Sequence, residues 1–314
     1  MDGERLENLA SEFRVALDAQ LSGEYGCEFR LPSREAAAQI CRRYLALLFP
    51  VFYQGQGAEA DRAATGARHY LVEVETLLRE QLCAALRFDQ RCQGDQSLDG
   101  VEVRARELTE HLFGQLPELA RLLASDIEAA FRNDPAAARH EEILLSYPCV
   151  EAITVQRLAH RLYLMGVPFL PRMMTEVAHS RTGIDINPGA SIGESFFIDH
   201  GTGVVIGETA TIGNKVTLYH GVTLGAFNPL SKDEQGQLIR GQENKRHPDI
   251  EDHVTVYPNA TILGGHTRVG HHSVIGGNVW LTHSVVPYSK VRVKDPELVI
   301  FNGEPGSFRA DFSI

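Results

Sequence analysis

From Ile186 to about Pro287, aliphatic residues return at a beat of six: Ile186, Ile192 and Ile198, then Ile206, Ile212, Leu218 and Leu224, then Ile250, Val256, Ile262, Val269, Ile275 and Leu281. Six residues suit neither the 3.6 period of a helix nor the alternation of a hairpin sheet. They fit a triangular coil in which each flat face carries one inward aliphatic side chain. Aliphatic–Gly pairs (Ile192-Gly193, Ile206-Gly207, Ile212-Gly213, Leu224-Gly225, Leu263-Gly264, Val269-Gly270, Ile275-Gly276) are expected to supply corners with unusual backbone angles. The pattern predicts a left-handed parallel β-helix over residues 183–290.

Upstream the spacing becomes helical, as in Leu71, Val74, Leu78, Leu82 and Leu86, and in Leu108, Leu112, Leu116, Leu119 and Leu122. This predicts an α-helical N-terminal domain over 1–182 and leaves a C-terminal tail over 291–314, an α+β fold overall. Asn133-Asp134-Pro135 reads as a helix start, with a capping side chain before a proline at the first helical position. A further helical stretch from about Val150 to Ser180 is interrupted by Gly166 and Pro168.

A repeat departs from its own rule mainly where something other than packing is selected. The first break is a step of eight from Ile198 to Ile206, which contains Asp199-His200-Gly201-Thr202-Gly203. The second is the stretch from Ala226 to Arg246, rich in Asn, Pro, Gly, Lys and Gln, which reads as a long functional loop leaving the coil and ends at Lys245-Arg246-His247-Pro248.

Composition narrows the function. A net charge of −11 without a basic stripe argues against nucleic acid as the main partner. The N-terminus lacks the basic region and apolar run of a signal peptide, and no apolar stretch approaches membrane-spanning length, so a cytoplasmic protein is expected. Cys27, Cys41, Cys83, Cys92 and Cys149 are odd in number and scattered, neither a disulfide framework nor a zinc cluster, and are expected to be reduced thiols.

Several strings carry a more specific signal: Gly183-Ile184-Asp185-Ile186-Asn187-Pro188-Gly189-Ala190, Asp199-His200-Gly201-Thr202-Gly203-Val204-Val205-Ile206-Gly207-Glu208-Thr209-Ala210, Gly221-Val222-Thr223-Leu224-Gly225, and Lys245-Arg246-His247-Pro248. In this order, over roughly residues 120 to 290, the chain resembles the serine O-acetyltransferases, hexapeptide-repeat acyltransferases. The resemblance implies transfer of acetyl from acetyl-CoA to the L-serine hydroxyl, the committing step of cysteine synthesis, with no metal. It implies that His200 is the general base and Asp185 its carboxylate partner, that Asp134 and Asp199 hold the ammonium, and that Arg246 and His247 hold the carboxylate, with His247 also donating to the developing oxyanion. A hydroxyl is a poor nucleophile at neutral pH, so a positioned base suits this chemistry. Acetyl-CoA would lie near Gly225, Ala226, Pro258 and Gly277.

The resemblance further implies a homotrimer or a dimer of trimers with active sites between neighbouring coils, L-cysteine as feedback inhibitor, and capture of the terminal Ile314 by O-acetylserine sulfhydrylase. Departures from the family's common forms are Asn187 where histidine is frequent, His220 where glutamine is frequent, a longer loop before His247, and a different ending over 291–303. Three rivals are weighed. A coil-fold acetyltransferase for homoserine or an amino sugar is disfavoured by the ammonium and carboxylate clamps. A γ-class carbonic anhydrase would need a histidine where Lys215 stands. A non-catalytic scaffold for the sulfhydrylase is disfavoured by the presence of Asp185, His200, Arg246 and His247 together.

Overall fold

The computed structural model describes residues 3–20, 31–53, 63–92, 99–228, 230, 232–233, 235–239 and 244–294. The helical region comprises α1 (Gly3–Gln20), α2 (Arg34–Leu48), α3 (Pro50–Tyr53), α4 (Ala63–Cys92), α5 (Val101–Gly114), α6 (Leu116–Asn133), α7 (His140–Ser146), α8 (Pro148–Leu164) and α9 (Leu170–Thr182). Its core gathers the apolar stripes of α2, α4, α5, α8 and α9 around Ile40, Tyr44, Leu78, Leu82, Leu108, Leu112, Leu158, Leu162 and Met174. None of the described helices is long and apolar enough to cross a membrane. Among the described residues Cys41, Cys83 and Cys149 are unpaired, and burial pushes the Cys41 and Cys149 thiols up to about 12. Cys27 and the side chain of Cys92 lie outside the described residues.

The strands beyond α9 wind into a parallel β-helix of about five coils. Its first face stacks β1 (Asp185–Ile186), β4 (Val205–Ile206), β7 (Thr223–Gly225), β10 (Thr261–Leu263) and β13 (Trp280–Leu281). The second stacks β2 (Ser191–Ile192), β5 (Thr211–Ile212), β8 (Asp249–Ile250) and β11 (Arg268–Val269). The third stacks β3 (Phe197–Asp199), β6 (Thr217–Tyr219), β9 (Thr255–Val256), β12 (Val274–Ile275) and β14 (Lys290–Val291).

The register places the six-residue beat in columns. Ile186, Ile206, Leu224, Ile262 and Leu281 stack on the first face, Ile192, Ile212, Ile250 and Val269 on the second, and Ile198, Leu218, Val256 and Ile275 on the third. All but the half-buried Ile192 are buried, each worth on the order of 1.5–3 kcal/mol.

Two sequence expectations are corrected. Asn133-Asp134-Pro135 ends a helix and does not start one: α6 runs to Asn133 and Asp134 takes extended angles (φ −111°, ψ 105°). The residue before proline is pushed out of the α region, so Pro135 terminates the apolar stripe that began at Leu116. The glycines of the aliphatic–Gly pairs are also not left-handed corners, apart from Gly264 (φ 102°). Gly193, Gly213 and Gly270 sit where a neighbouring coil's backbone passes too close for a side chain: a Cβ at Gly193 would fall 2.7 Å from the Gly213 backbone, and one at Gly270 2.3 Å from Pro287 N. Left-handed positions are taken instead by Ser195, Lys215, His253, His272 and Tyr288 on one edge, and by Gly201, Gly221, Asn259 and Asn278 on another.

The helical region closes the first coil. Leu123, Ala130, Ile143, Val150 and Ile153 share a core with Ile184, Phe196 and the β-helix columns. Arg157 on α8 donates to Asp126 on α6 at 2.7 and 2.8 Å and to the carbonyls of Ile192 (3.2 Å) and Gly193 (2.7 Å), while Asp126 accepts from the Phe196 N–H at 2.9 Å. This buried network ties two helices to the turn between the second and third faces and fixes how Asp134 meets the coil.

Candidate active site

The residues singled out from the sequence sort onto two edges of the triangular coil. At the edge between the third and first faces, β3 delivers Asp199 and the chain then makes the wide, eight-residue step. His200 takes a left-handed backbone (φ 59°), which turns its ring outward, and its side chain is 73% exposed. Its Nε2 lies 3.9 Å from Asp199 Oδ1, and its ring meets His220, one coil on, edge to face at 5.8 Å. Among the described residues, His220 Nδ1 is buried without a hydrogen-bond partner.

Asp134 reaches this edge from the helical side. Its Oδ1 accepts from the Ala136 N–H at 2.8 Å, and its Oδ2 accepts from the Tyr147 hydroxyl. That hydrogen bond is the main reason the Tyr147 phenol is pushed up, with burial and the Asp134 charge adding to it. Tyr219 is also raised, by burial first, with the charges of Asp199 and Asp134 contributing, so both carboxylates act on one spot. Asp185 on β1 stands on the first face beside Val205 and pairs with Arg172 of α9 (Nη1 to Oδ1, 3.2 Å), not with His200. Glu176, His179 and Asp185 bring possible metal-ligand atoms within 4.8 Å of one another. The Arg172 guanidinium already pairs with both carboxylates there.

At the edge between the first and second faces, the long loop returns as Lys245-Arg246-His247. Lys245 Nζ donates to Thr209 O and Asp249 Oδ1, each at 2.6 Å, pinning the loop's end to the preceding coil. Thr209 organises the next two residues: its Oγ1 accepts from the Arg246 and His247 N–H groups, both at 3.0 Å, and lies 2.9 Å from His247 Nδ1. The Thr209 N–H also donates to Nδ1, at 3.0 Å. With Nδ1 an acceptor, the ring hydrogen belongs on Nε2. Burial, followed by the Arg246 charge, lowers the His247 pKa to about 4, so the ring is a neutral donor at pH 7. Arg246 pairs with Glu208, which also accepts from the Tyr163 hydroxyl at 2.7 Å.

The positions suggested for acetyl-CoA divide the same way. Pro258 and Gly277 continue the His200 edge along the coil axis, with Asn278 N–H donating to Pro258 O at 3.0 Å. Gly225 and Ala226 lie where the loop departs, on the Arg246 edge. Sequence reasoning missed Tyr147, Tyr163, Arg172 and Thr209. Thr209 stood inside one of the family-like strings, but its part as a hub for a segment nearly forty residues later depends on coil stacking. Ile314 lies outside the described residues.

The chain as a whole has relatives among known proteins. The chain is 48% identical over 259 residues, 82% of its length, to a protein named serine acetyltransferase, plasmid, of Synechococcus elongatus, and covers 80% of it. The chain belongs to the serine acetyltransferase family. No protein-family model matches it. Among solved serine acetyltransferases, that of Entamoeba histolytica (isoform 1, in complex with L-cysteine) superposes with a TM-score of 0.68 at 34% identity, over 82% of this chain and 86% of that one. That of Neisseria gonorrhoeae, in complex with serine, gives 0.51 at 28% identity, over 82% and 95%. Membership makes the chain an acyltransferase and removes the carbonic anhydrase and scaffold readings.

Proposed function

We propose that this serine acetyltransferase moves acetyl from acetyl-CoA directly to the L-serine hydroxyl, giving O-acetyl-L-serine for cysteine synthesis, at a site built from the two edges of neighbouring coils. One observation carries the reading: the carboxylate clamp of Arg246 and His247 lies at the opposite end of one face from the base His200 and the ammonium residues Asp134 and Asp199. The face and its corners span about five residues, on the order of 15 Å at ~3.3 Å per residue, too far for one serine to bridge within a chain. Three chains around an axis, each presenting its first face inward, bring the His200 edge of one against the Arg246 edge of the next. A homotrimer follows, with the helical regions left free to join two trimers.

In that site Asp134 and Asp199 receive the serine ammonium, and Arg246 with His247 receives the carboxylate, so that the hydroxyl points at His200. The hydroxyl proton passes to His200 as the oxygen attacks the thioester carbonyl, and the same proton leaves with the thiolate when the intermediate collapses. Asp185 retains an oxygen beyond the one bound by Arg172, and by accepting from His200 it would orient the ring. The neutral Nε2–H of His247 suits donation to the oxyanion, which needs a donor fixed before the charge appears. Acetyl-CoA is held near Gly225, Ala226, Pro258 and Gly277. The serine and cysteine complexes of relatives support serine as acceptor and cysteine as its competitor. We assign the enzyme to the cytoplasm, with the Ile314 terminus as the sulfhydrylase contact.

The test is thiol release from acetyl-CoA with L-serine, L-homoserine and glucosamine, in the wild type and in His200→Ala. Serine-dependent release should fall by at least about a hundredfold in the variant. Release with homoserine alone would replace the substrate, and full serine activity in His200→Ala would remove His200 as the base.

A further inference from the structure

The His200 edge is closed on its N-terminal side, where the chain leaving α6 brings in Asp134 and Tyr147 and α6 packs on β3. Along the coil axis in the other direction the edge continues. Asp199 pairs in register with Tyr219, and the next coil places Tyr257 at the equivalent position. The rings of Tyr219 and Tyr257 stack with centroids 5.1 Å apart and planes 9° from parallel. Tyr257 remains 42% exposed. The inward positions of these coils are already filled by Leu218 and Val256, so the core does not require the two rings. Beside them Gly277 packs against the preceding coil, where a Cβ would fall 3.2 Å from Pro258 O, so no side chain projects over the rings from that position.

A thioester delivered to His200 brings a long arm of methylene, dimethyl and amide groups that needs a path away from the reacting carbon. With the helical side occupied, the open path runs over the tyrosine stack, whose flat faces suit apolar and amide groups. We propose that Tyr219 and Tyr257 form the wall on which the pantetheine arm of the acyl donor lies. The assignment rests on His200 as the base.

A wall that touches only the arm contributes equally before and during acetyl transfer, so its loss raises KM for the donor and leaves kcat and the serine KM in place. Tyr257→Ala should raise the acetyl-CoA KM about fivefold to tenfold, the equivalent of one aromatic contact. Tyr257→Phe, which keeps the stacked face, should stay within about twofold of wild type on the same scale. With S-acetyl-N-acetylcysteamine, which carries the thioester but little of the arm, the penalty of Tyr257→Ala should vanish. An unchanged acetyl-CoA KM, an equal penalty with the short thioester, or a Phe variant as impaired as Ala would each overturn the proposal. Retained turnover in His200→Ala would instead overturn the base assignment, and the two failures are read from different variants.

Discussion

His247 shows how one residue is set in place by its neighbours. Its tautomer is set by the Thr209 N–H, its neutrality by burial, and its place by an absence, because a Cβ at Gly207 would fall 2.0 Å from His247 Cδ2 and 2.1 Å from Nε2. Gly207 does not have a left-handed backbone, so alanine there is opposed by the ring and not by its own backbone. Gly207→Ala should therefore displace the imidazole while the fold holds. We expect the serine kcat/KM to fall about a hundredfold, in line with the loss of one oriented donor, with circular dichroism and oligomer size unchanged. Wild-type kinetics in this variant would remove His247 from the site.

Among the elements, the beat was legible because each short strand of two or three residues turns its aliphatic beat residue to the interior and the register repeats it. What the beat omits is a second inward set two positions earlier: Ile184, Ala190, Phe196, Val204, Ala210, Val216, Val222, Val254 and Ala260 are buried as well. Its mixture of small and large residues has no single hydrophobic signature, since each fills whatever space the corner leaves. Asp134 was legible as a residue but not as a helix end, because an Asp-Pro pair serves either boundary and only the preceding stripe decides. His200 and Arg246 were visible as breaks in the repeat, whereas Arg172, Tyr147 and Thr209 depend on contacts between elements far apart in sequence. The Arg157–Asp126 pair is likewise unreadable in sequence, and it supports the cap on the first coil. Arg157→Ala should lower unfolding stability by about 3–5 kcal/mol, because it leaves a buried carboxylate unpaired. The replacement of both, Arg157→Met with Asp126→Leu, should recover part of that loss in urea denaturation. Equal stability of the single variant and wild type would show that the network does not hold the cap.

For the whole molecule, the separation of the two edges becomes a statement about assembly. If each site takes His200 from one chain and Arg246 from the next, His200→Ala and Arg246→Ala are each inactive for a different reason, and each still carries the half that the other lacks. Unfolded together at equal amounts and refolded, the two variants should form mixed trimers in which a site is whole when an Arg246→Ala chain supplies His200 and a His200→Ala chain supplies Arg246. With random assortment that pairing occurs at about a quarter of the sites, so the mixture should regain roughly 25% of wild-type activity. A site contained within one chain gives no recovery, because no chain in the mixture has both residues. A double variant, His200→Ala with Arg246→Ala in the same chain, separates the cases further: refolded with wild type, it should lower activity more than dilution does, since each mixed trimer spoils the sites on both sides of the altered chain. Activity that tracks the wild-type fraction alone would place the clamp and the base within a single subunit, and would require the loop ending at Arg246 to cross the first face.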